Sequence, residues 1–283
     1  LAFSTKRGYS LCRDNSIIPF FGDMNLEDIT WREVQQFVNQ YKAYQTANQR
    51  VAVLSKVFKI AQMDGILTKN PASKRLLSLP QKKSQRPPVP IAKLQEIRES
   101  IPYLDEFREK AYLGIISYTG VRKSEALGLM WSDIDWKAGE HGAIRIQRAA
   151  VAINGRISVS KTKSTAGNRT IPMSKELRAI LLTSARTSGY IVHSEEGLNI
   201  PCNGNEFQSM WRRISKQVKM RGYTSHCFRH TFGTELAAMN IDPKTIQTLI
   251  GHANISMTFD TYVAPANSNM VYAVNLYSEK VSG

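Results

Sequence analysis

Cysteine is scarce in this chain of 283 residues, which contains only Cys12, Cys202 and Cys227. A sparse and odd number of cysteines excludes a disulfide framework and is typical of a reducing compartment. Long apolar runs are missing too, since none approaches the roughly 20 residues that a membrane-spanning helix needs. The first six residues, Leu-Ala-Phe-Ser-Thr-Lys, lack the pattern of a signal peptide. We therefore expect a cytoplasmic protein. Because the chain opens on Leu rather than Met, the sequence leaves open whether a further segment precedes Leu1.

Acidic side chains are also few in comparison with basic ones. Lys and Arg number 38 against 23 Asp and Glu, so the net charge is +15 and the isoelectric point is about 9.8. The excess is spread along the chain: residues 1–83 carry 13 basic and 6 acidic side chains, which leaves +7, and the rest carry 25 and 17, which leaves +8. Such a surplus predicts a polyanionic partner, with nucleic acid ahead of an anionic membrane surface. The apolar share of 42% excludes a disordered chain.

The length of the chain and its turn-forming segments predict two domains. Residues 78–90 combine prolines with cations and show no apolar periodicity, which is typical of an extended linker. We place a helical domain at 1–80, a basic Pro-rich linker at 81–90 and a second domain at 91–264. Residues 265–283 then form a C-terminal tail.

The first domain is expected to be helical. Thr30 and Glu33 have the spacing of a capping box, which predicts a helix from about 31 to 42. A second helix is expected at 46–63 and stops near Gly65. The residues expected on the buried faces are Val34, Phe37, Val38 and Tyr41 in the first helix, and Val51, Leu54, Phe58 and Met63 in the second. Arg50, Lys56 and Lys59 are expected on the exposed side of the second helix.

The second domain begins with helices and continues with strands. Helices are expected at 92–100 and 105–118, and a third begins near Lys123, which puts Arg122 at a helix start. Apolar runs then predict a small antiparallel sheet with strands near 143–152, 156–160 and 168–172. Asn154-Gly155 is a strong signal for a two-residue hairpin, and Lys161 falls at the end of the second strand. The fold class is therefore mostly α with a small antiparallel sheet (α+β).

The chain is expected to be helical again from Ser174 onward. Ser225 is expected to cap a helix on which His226 and Arg229 are three residues apart, hence neighbours on one surface. The residues expected on the buried face of this helix are Phe228, Phe232, Leu236 and Met239.

A shorter helix is expected next. Asp242 caps its start, Pro243 takes its first position, and Gly251 lies just past its end. His252 follows that glycine directly, and Tyr262 lies about ten residues further on. An imidazole and a late phenol therefore follow the stop of this helix.

Six residues stand out for their chemistry, in the order Arg122, Lys161, His226, Arg229, His252 and Tyr262. Attack on a phosphodiester builds negative charge on its two non-bridging oxygens, and arginine supplies fixed planar donors that never lose their proton. A phenol serves as a nucleophile, while imidazoles and an ammonium group move protons. Each residue alone has an ordinary structural use. Together they predict a chemistry that breaks and rejoins DNA.

The motifs around these residues resemble the tyrosine recombinase (phage integrase) family, as in the integrases of phages and other mobile elements. Residues 118–262 resemble its catalytic domain and residues 1–80 resemble its helical core-binding domain. The motifs are Thr-Gly-x-Arg-x-x-Glu at 119–125, Ser-Lys-Thr at 160–162, Arg-Thr-Ile-Pro at 169–172, His-x-x-Arg-His-Thr-Phe at 226–232, Leu-Ile-Gly-His at 249–252 and the late Tyr262. Any one of them is weak, but their joint order and spacing are specific.

The resemblance implies roles for the phosphate-binding and reacting groups. Arg122 and Arg229 clamp the scissile phosphate, and Tyr262 is the nucleophile that forms a 3′-phosphotyrosine link. Lys161 is the general acid for the leaving 5′ oxygen, and Lys163 stays open as an alternative.

The resemblance also implies supporting roles. His226 takes or shuttles the proton of the phenol, His252 hydrogen-bonds to the phosphoryl group, and Glu125 orients the active-site arginines. Because a covalent link conserves the bond energy, no ATP is needed. No metal and no other cofactor are expected.

The partners implied are double-stranded DNA recombination sites, a homotetramer that exchanges strands through a Holliday junction, and accessory DNA-bending proteins. A bacterial cytoplasm, at the nucleoid, is the expected location, and no membrane is involved. The helical and catalytic domains are expected to close around DNA as a clamp. The tail either docks onto a neighbouring protomer or packs back on its own domain, and its apolar residues are Met270, Val271, Val274, Leu276 and Tyr277.

Four alternatives bear on these interpretations. A type IB topoisomerase-like enzyme uses the same attack with strand rotation instead of exchange, and a non-catalytic DNA-binding protein keeps the fold without the reaction. His226 and His230 are four apart and could chelate zinc, but no third ligand has suitable spacing. Cys227 could be mistaken for a nucleophile, although buried packing is the role we expect for it.

Overall fold

The computed structural model describes residues 3–81, 87–153, 156–161, 167–184 and 187–256. The chain divides into two compact units, Leu1–Gln85 and Arg86–Gly283. Within the described ranges, none of the helices combines the length and the apolar character that a membrane crossing requires. Tyr262, Lys163 and the tail at 265–283 lie outside the described residues.

The first unit is built from helices, as expected. Helix α1 (Phe3–Cys12) continues through a π-turn at Arg13–Ile17 into α2 (Ile18–Phe21), and α3 (Trp31–Asn39) and α4 (Tyr44–Met63) follow. The capping box at the start of α3 is confirmed, because the Thr30 side chain accepts from the helix and its backbone N–H donates to Glu33 Oε2 over 2.8 Å. Helix α3 ends at Asn39, three residues before the predicted end.

The core of the first unit joins α3 and α4. Its buried side chains include Phe21, Val34, Phe37, Leu54, Phe58 and Ala72. Met63 was expected in this core but is 78% exposed, because the buried face of α4 runs through Leu54, Phe58 and Ala61 and Met63 falls off that stripe. Arg50 was expected at the surface but is half-buried, and its Nε donates to Ser16 Oγ over 2.9 Å.

The second unit is organised around one almost entirely buried helix. Helices α5 (Ile91–Ser100), α6 (Phe107–Thr119) and α7 (Lys123–Leu127) open the unit. Tyr112, Leu113, Ile115 and Ile116 on α6 are fully buried, so this helix is the central element of the core. Val89, which the sequence analysis places in the linker, is 1% exposed, and its backbone N–H donates to Thr231 Oγ1 over 2.7 Å.

The strands form two small sheets in this region rather than the single sheet that was expected. Strand β1 (Ile134–Asp135), β2 (Ala143–Ile146) and β5 (Arg169–Pro172) form one antiparallel sheet in the order β1-β2-β5. Strands β3 (Arg148–Ile153) and β4 (Arg156–Lys161) form the other. The predicted strand at 143–152 is therefore broken at Gln147.

A buried carboxylate explains the break between β2 and β3. Asp133 is fully buried, and it accepts hydrogen bonds of 2.6 Å each from Gln147 Nε2 and Arg148 Nη1. Because the two side chains at the junction both turn toward Asp133, the strand cannot keep its regular alternation there. Glutamine and arginine in the sequence do not reveal this partner, which lies about fifteen positions upstream.

The β3–β4 pair confirms the predicted hairpin. Its register runs from Arg148 opposite Lys161 to Ile153 opposite Arg156, which leaves two residues between the strands. Asn154 and Gly155 themselves lie outside the described residues. Lys161 ends β4 as predicted.

The unit continues with α8 (Lys175–Leu182), a short strand pair, β6 (His193–Ser194) and β7 (Gly197–Pro201), and the helices α9 (Gly204–Gln217), α10 (Ser225–Ala238) and α11 (Pro243–Ile250). Asp242 caps α11 as predicted, accepting from the Thr245 N–H over 2.8 Å. Gly251 ends it with a φ of 75°, a left-handed conformation that favours glycine. The fold class, mostly α with small antiparallel sheets, is confirmed.

Two expectations for α10 are wrong. Thr224, not Ser225, holds the N-cap position, and the Ser225 hydroxyl instead lies 2.7 Å from the buried Tyr112 hydroxyl. Phe228 is buried as expected, but Phe232 and Leu236 are only half-buried and Met239 is 65% exposed. The buried side of α10 instead includes Cys227, Arg229 and Thr231, because this helix turns polar groups inward.

Candidate active site

Arg122 is held where α6 ends and α7 begins. The chain leaves α6 through Gly120, whose φ is 62° and where an added Cβ would lie 2.6 Å from the ring of Phe232. Only glycine fits this turn without displacing that ring. Arg122 then takes the N-cap position of α7, as predicted, with about 40% of its side chain exposed. Its guanidinium is therefore at a surface while its backbone is fixed by the helix start.

Glu125 fixes Arg122 from one turn further along α7. Arg122 Nη1 donates to Glu125 Oε1 over 2.7 Å, and the Arg122 backbone N–H donates to Oε2 over 2.9 Å. Glu125 itself is 3% exposed. Burial raises the pKa of this carboxyl, but the hydrogen bond and charge of Arg169 and the bonds from Arg122 outweigh it and hold the pKa below its ordinary value. Glu125 is therefore an anion inside a basic cluster.

Arg229 reaches the same place from α10. It is 3% exposed, and its Nη1 donates to the carbonyls of Gly120, over 3.1 Å, and Ile250, over 2.8 Å. Arg122 Nη2 donates to the next carbonyl along the chain, that of Gly251, over 2.8 Å. Because Ile250 and Gly251 are consecutive, the two guanidinium groups converge on the same helix end. The structure thus brings together two arginines that are about a hundred positions apart in sequence.

The two imidazoles are kept neutral by burial first and by the surrounding positive charge second. His252 follows Gly251 directly and is 6% exposed; burial, and then the charges of Arg229, Arg122 and Arg169, lower its pKa to about 4. Partial burial, followed by the charges of Arg229, His230 and Arg122, also lowers the pKa of His226. His226 lies in the first turn of α10, where the helix dipole further disfavours a cation. Both rings are therefore neutral near pH 7, so the unprotonated nitrogen of each ring can accept a hydrogen bond there.

Arg169 is a site residue that the sequence analysis named only as part of a motif. It lies on β5, is 7% exposed, and its Nη2 donates to Glu125 Oε2 over 3.0 Å. Residues of β5 alternate between buried and exposed, and Arg169 occupies a buried position together with Ile171. A cation at an inward-facing strand position is a signal that could have identified it, since such a charge needs a buried partner.

Three predicted site residues remain without structural detail. Tyr262 and Lys163 lie outside the described residues, and so does the side chain of Lys161, of which only the backbone at the end of β4 is described. Their roles stay predictions, as does the choice between the two lysines. The site as described therefore comprises Arg122, Glu125, Arg169, His226, Arg229 and His252.

Two alternatives concern α10: a zinc site that includes His230, and Cys227 as a nucleophile. His230 Nδ1 lies 3.1 Å from Thr234 Oγ1, one turn further along the helix. Among the residues that the structure describes, no group of three or more His, Cys, Asp or Glu side chains is placed to hold a metal ion. Cys227 is 3% exposed, and its Sγ lies 3.5 Å from the Thr224 N–H at the helix start, so its side chain packs into the core beneath the N-cap.

The low pKa of His252 gives a measurable titration. In the free protein we expect its imidazole to titrate at about pH 4 and to be neutral at pH 6, because burial and three nearby arginines oppose a further positive charge. The unfolded chain takes up this proton from about pH 6.5 downward, so His252 lowers the free energy of unfolding as the pH falls from 6.5 towards 4.

Long-range ¹H–¹⁵N spectra of the imidazole groups, assigned with His252→Asn, measure this titration directly. In parallel, thermal unfolding from pH 7 to pH 5 should show a smaller loss of stability for His252→Asn than for the wild type. A His252 ring that titrates at pH 6.5 or above would contradict the expectation.

Sequence comparisons place this chain among known proteins. Residues 92–269 match the profile of the Phage integrase family, and residues 1–41 match that of the Phage integrase, N-terminal SAM-like domain. A tyrosine recombinase XerC-like protein of Caldanaerobacter subterraneus subsp. tengcongensis is 25% identical, over 89% of this chain and 72% of its own length. The transposase of transposon Tn916 from Enterococcus faecalis is 28% identical, over 84% of this chain and 63% of its own length.

The fold is also similar to a solved structure. The integrase of transposon Tn1549, in complex with a circular intermediate DNA, matches with a TM-score of 0.85 and 21% identity, over 98% of this chain and 94% of that one. At that identity the match shows a shared fold.

Proposed function

Because the chain belongs to the phage integrase family of tyrosine recombinases, we propose that it is a site-specific recombinase that cuts and rejoins DNA. One observation carries the proposal: Arg122 and Arg229 bind consecutive carbonyls, those of Gly251 and Ile250, next to the buried His252. Two guanidinium groups held at one helix end can bind the two non-bridging oxygens of one phosphodiester. This arrangement supports the proposal that Arg122 and Arg229 bind a backbone phosphate.

The reaction follows from these groups. The Tyr262 hydroxyl attacks the phosphorus, its proton passes to the neutral His226, and the bond from phosphorus to the 5′ oxygen breaks. Lys161, or Lys163, donates the proton that the leaving 5′ oxygen needs. Arg122 and Arg229 stabilise the charge that builds on the phosphoryl oxygens, and His252 adds a hydrogen bond.

Reversal of these steps reseals the strand. The 3′-phosphotyrosine link keeps the energy of the broken phosphodiester, so attack by a 5′ hydroxyl restores the DNA without ATP. When that hydroxyl comes from another duplex, the product is an exchanged strand. One exchange on each pair of strands, with a Holliday junction between them, completes recombination.

The assembly on DNA follows from the distribution of charge. Residues 1–83 and 84–283 both carry a net positive charge, +7 and +8 as counted above, so each part contributes phosphate contacts. We propose that the helical first domain and the catalytic second domain, which the basic linker joins, bind the same duplex. The proposed recombination complex contains four protomers on two duplexes. The C-terminal tails link neighbouring protomers, and accessory proteins bend the DNA.

The substrate class is a mobile element. The Tn916 relative carries the name of a transposase, and the chain spans about two thirds of the length of these relatives. We propose that this protein integrates or excises such an element in a bacterial cytoplasm. Its recombination sites are then the ends of that element and their joined junction.

Covalent trapping tests the proposal. The purified chain is incubated with a nicked duplex that carries the joined ends of its element, and the products are separated under denaturing conditions. We expect a protein–DNA adduct, and mass spectrometry of its nuclease-trimmed peptide should place the nucleotide on Tyr262. Absence of any adduct would favour a non-catalytic DNA-binding protein instead.

A second assay separates recombination from strand rotation. Two matched sites on separate fragments should yield recombinant fragments, which a type IB topoisomerase-like enzyme does not produce. Relaxation of a supercoiled plasmid without any recombinant product would therefore favour the topoisomerase-like alternative.

A further inference from the structure

Arg169 uses all of its guanidinium nitrogens on the protein. Nε donates to the Leu249 carbonyl over 2.8 Å, Nη1 to the Gly167 carbonyl and to Glu125 Oε1, each over 3.3 Å, and Nη2 to Glu125 Oε2 over 3.0 Å. Its side chain is 4% exposed. Arg122 has about 40% of its side chain exposed, whereas Arg169 is buried and already donates from every guanidinium nitrogen to the protein, so Arg169 has no free surface to offer a phosphate.

One partner of Arg169, the Leu249 carbonyl, belongs to a row of three carbonyls at the end of α11. Arg169 binds the carbonyl of Leu249, Arg229 that of Ile250 and Arg122 that of Gly251, each over 2.8 Å. The last carbonyls of a helix have no partner within it and carry partial negative charge. Three arginines from three different elements thus share one helix end, and His252 follows it directly.

Arg169 also binds, or lies next to, the two groups that hold the Arg122 guanidinium. The guanidinium of Arg122 is held at two points, the Glu125 carboxylate and the Gly251 carbonyl. Arg169 binds Glu125 with two nitrogens and binds Leu249, two residues before Gly251. Arg169 therefore joins the Glu125 carboxylate to the end of α11, and these are the two places that hold Arg122.

We propose that Arg169 is a positioning residue for strand cleavage, which sets the spacing of Arg122 and Arg229 by joining Glu125 to the end of α11. This inference rests on the proposed function. A shift of either support by a fraction of an ångström separates two guanidinium groups that must meet one phosphate, and groups that orient direct ligands commonly change activity by about 10- to 100-fold.

Arg169→Lys tests the proposal in the full chain. Lysine keeps the charge, but its single ammonium cannot bind Glu125 with two nitrogens and Leu249 at once. With nicked site DNA at saturating protein, we expect the single-turnover rate of adduct formation to fall about 10- to 100-fold, with DNA affinity within about threefold of the wild type. Arg178→Lys is the matched control, since Arg178 Nη1 also donates to two backbone carbonyls, those of Trp136 and His141, away from the site.

A double-mutant cycle with Glu125→Gln distinguishes positioning from general destabilisation. If Arg169 acts through Glu125, the effect of Arg169→Lys should be much smaller in the Glu125→Gln background, because the shared path is already weakened. Losses that multiply, a cleavage rate within about twofold of the wild type, or a parallel loss of DNA affinity would each overturn the proposal.

A second variant serves as the control for a folding defect. If Arg169→Lys melts below the assay temperature, Glu125→Leu combined with Arg169→Met replaces the buried pair by apolar side chains, a change that proteins often tolerate. This variant should bind DNA and cleave slowly, and wild-type cleavage by it would refute the inference. A wild-type chain that forms no adduct at all would instead remove the proposed function, so the two failures are distinguishable.

Discussion

Replacing Tyr262 with phenylalanine is expected to abolish the covalent protein–DNA adduct while leaving DNA binding nearly unchanged. Phenylalanine keeps the ring and removes only the hydroxyl that attacks the phosphorus. Loss of a nucleophile lowers turnover by roughly 10⁴-fold or more, so no adduct should rise above background. Binding persists because a net charge of +15 spreads phosphate contacts over the whole chain.

The control for this prediction is the same change at an exposed tyrosine. Tyr103 is 85% exposed, on the turn Ile101–Tyr103, and Tyr103→Phe should form adduct at the wild-type rate. The measurements are adduct yield on denaturing gels and affinity from filter binding, on the same nicked duplex. An undiminished adduct with Tyr262→Phe would mean that another residue is the nucleophile.

Local chemistry made several elements predictable from the sequence. Thr30 with Glu33, and Asp242 with Gly251, satisfy the orphan backbone groups of a helix end within a few residues, so their patterns determine where α3 begins and α11 ends. The Asn154-Gly155 signal predicted a hairpin in the same way, and the described β3–β4 register leaves two residues between the strands. In each case the cause and the effect lie close together in the chain.

Long-range partners explain what the sequence could not predict. Asp133 interrupts the predicted strand because it binds Gln147 and Arg148 in the folded core. Thr224 and Ser225 both offer a cap hydroxyl, and only the contact of Ser225 with Tyr112 assigns it to the core. Such partners become visible only when distant segments pack together.

The candidate site shows the same division. Its motifs identified Arg122, His226, Arg229 and His252 by residue type and order. Their convergence depends on the end of α11, whose carbonyls hold the arginines, and on Arg169, which the motif reading left without a role. The arrangement also explains why the imidazoles stay neutral: burial lowers the pKa of His252 and His226, and the arginines that bind these carbonyls lower it further.

Arg229→Lys is expected to lower the rate of strand cleavage by about 10²- to 10³-fold, with DNA affinity within about threefold of the wild type. Arg229 Nη1 donates to the Gly120 and Ile250 carbonyls, and the second of these precedes the Gly251 carbonyl that Arg122 binds. Lysine keeps the charge but has no second arm, so it cannot hold these carbonyls and still donate to a phosphoryl oxygen. Removal of one donor that stabilises a developing oxyanion costs about 2.7–4 kcal/mol in the transition state.

A buried arginine outside the site separates this catalytic effect from a folding defect. Arg108 is 9% exposed and is paired with Glu106 and Glu195, so Arg108→Lys makes the same change at similar burial. Both variants are compared by melting temperature, by affinity for site DNA and by single-turnover adduct formation at saturating protein. Only Arg229→Lys should lose cleavage, because the proposed phosphate contact of Arg229 acts in the transition state, whereas ground-state binding is expected from the excess of basic residues along the chain. Equal losses of affinity and rate in Arg229→Lys would mean that Arg229 binds DNA without acting on the reacting phosphate.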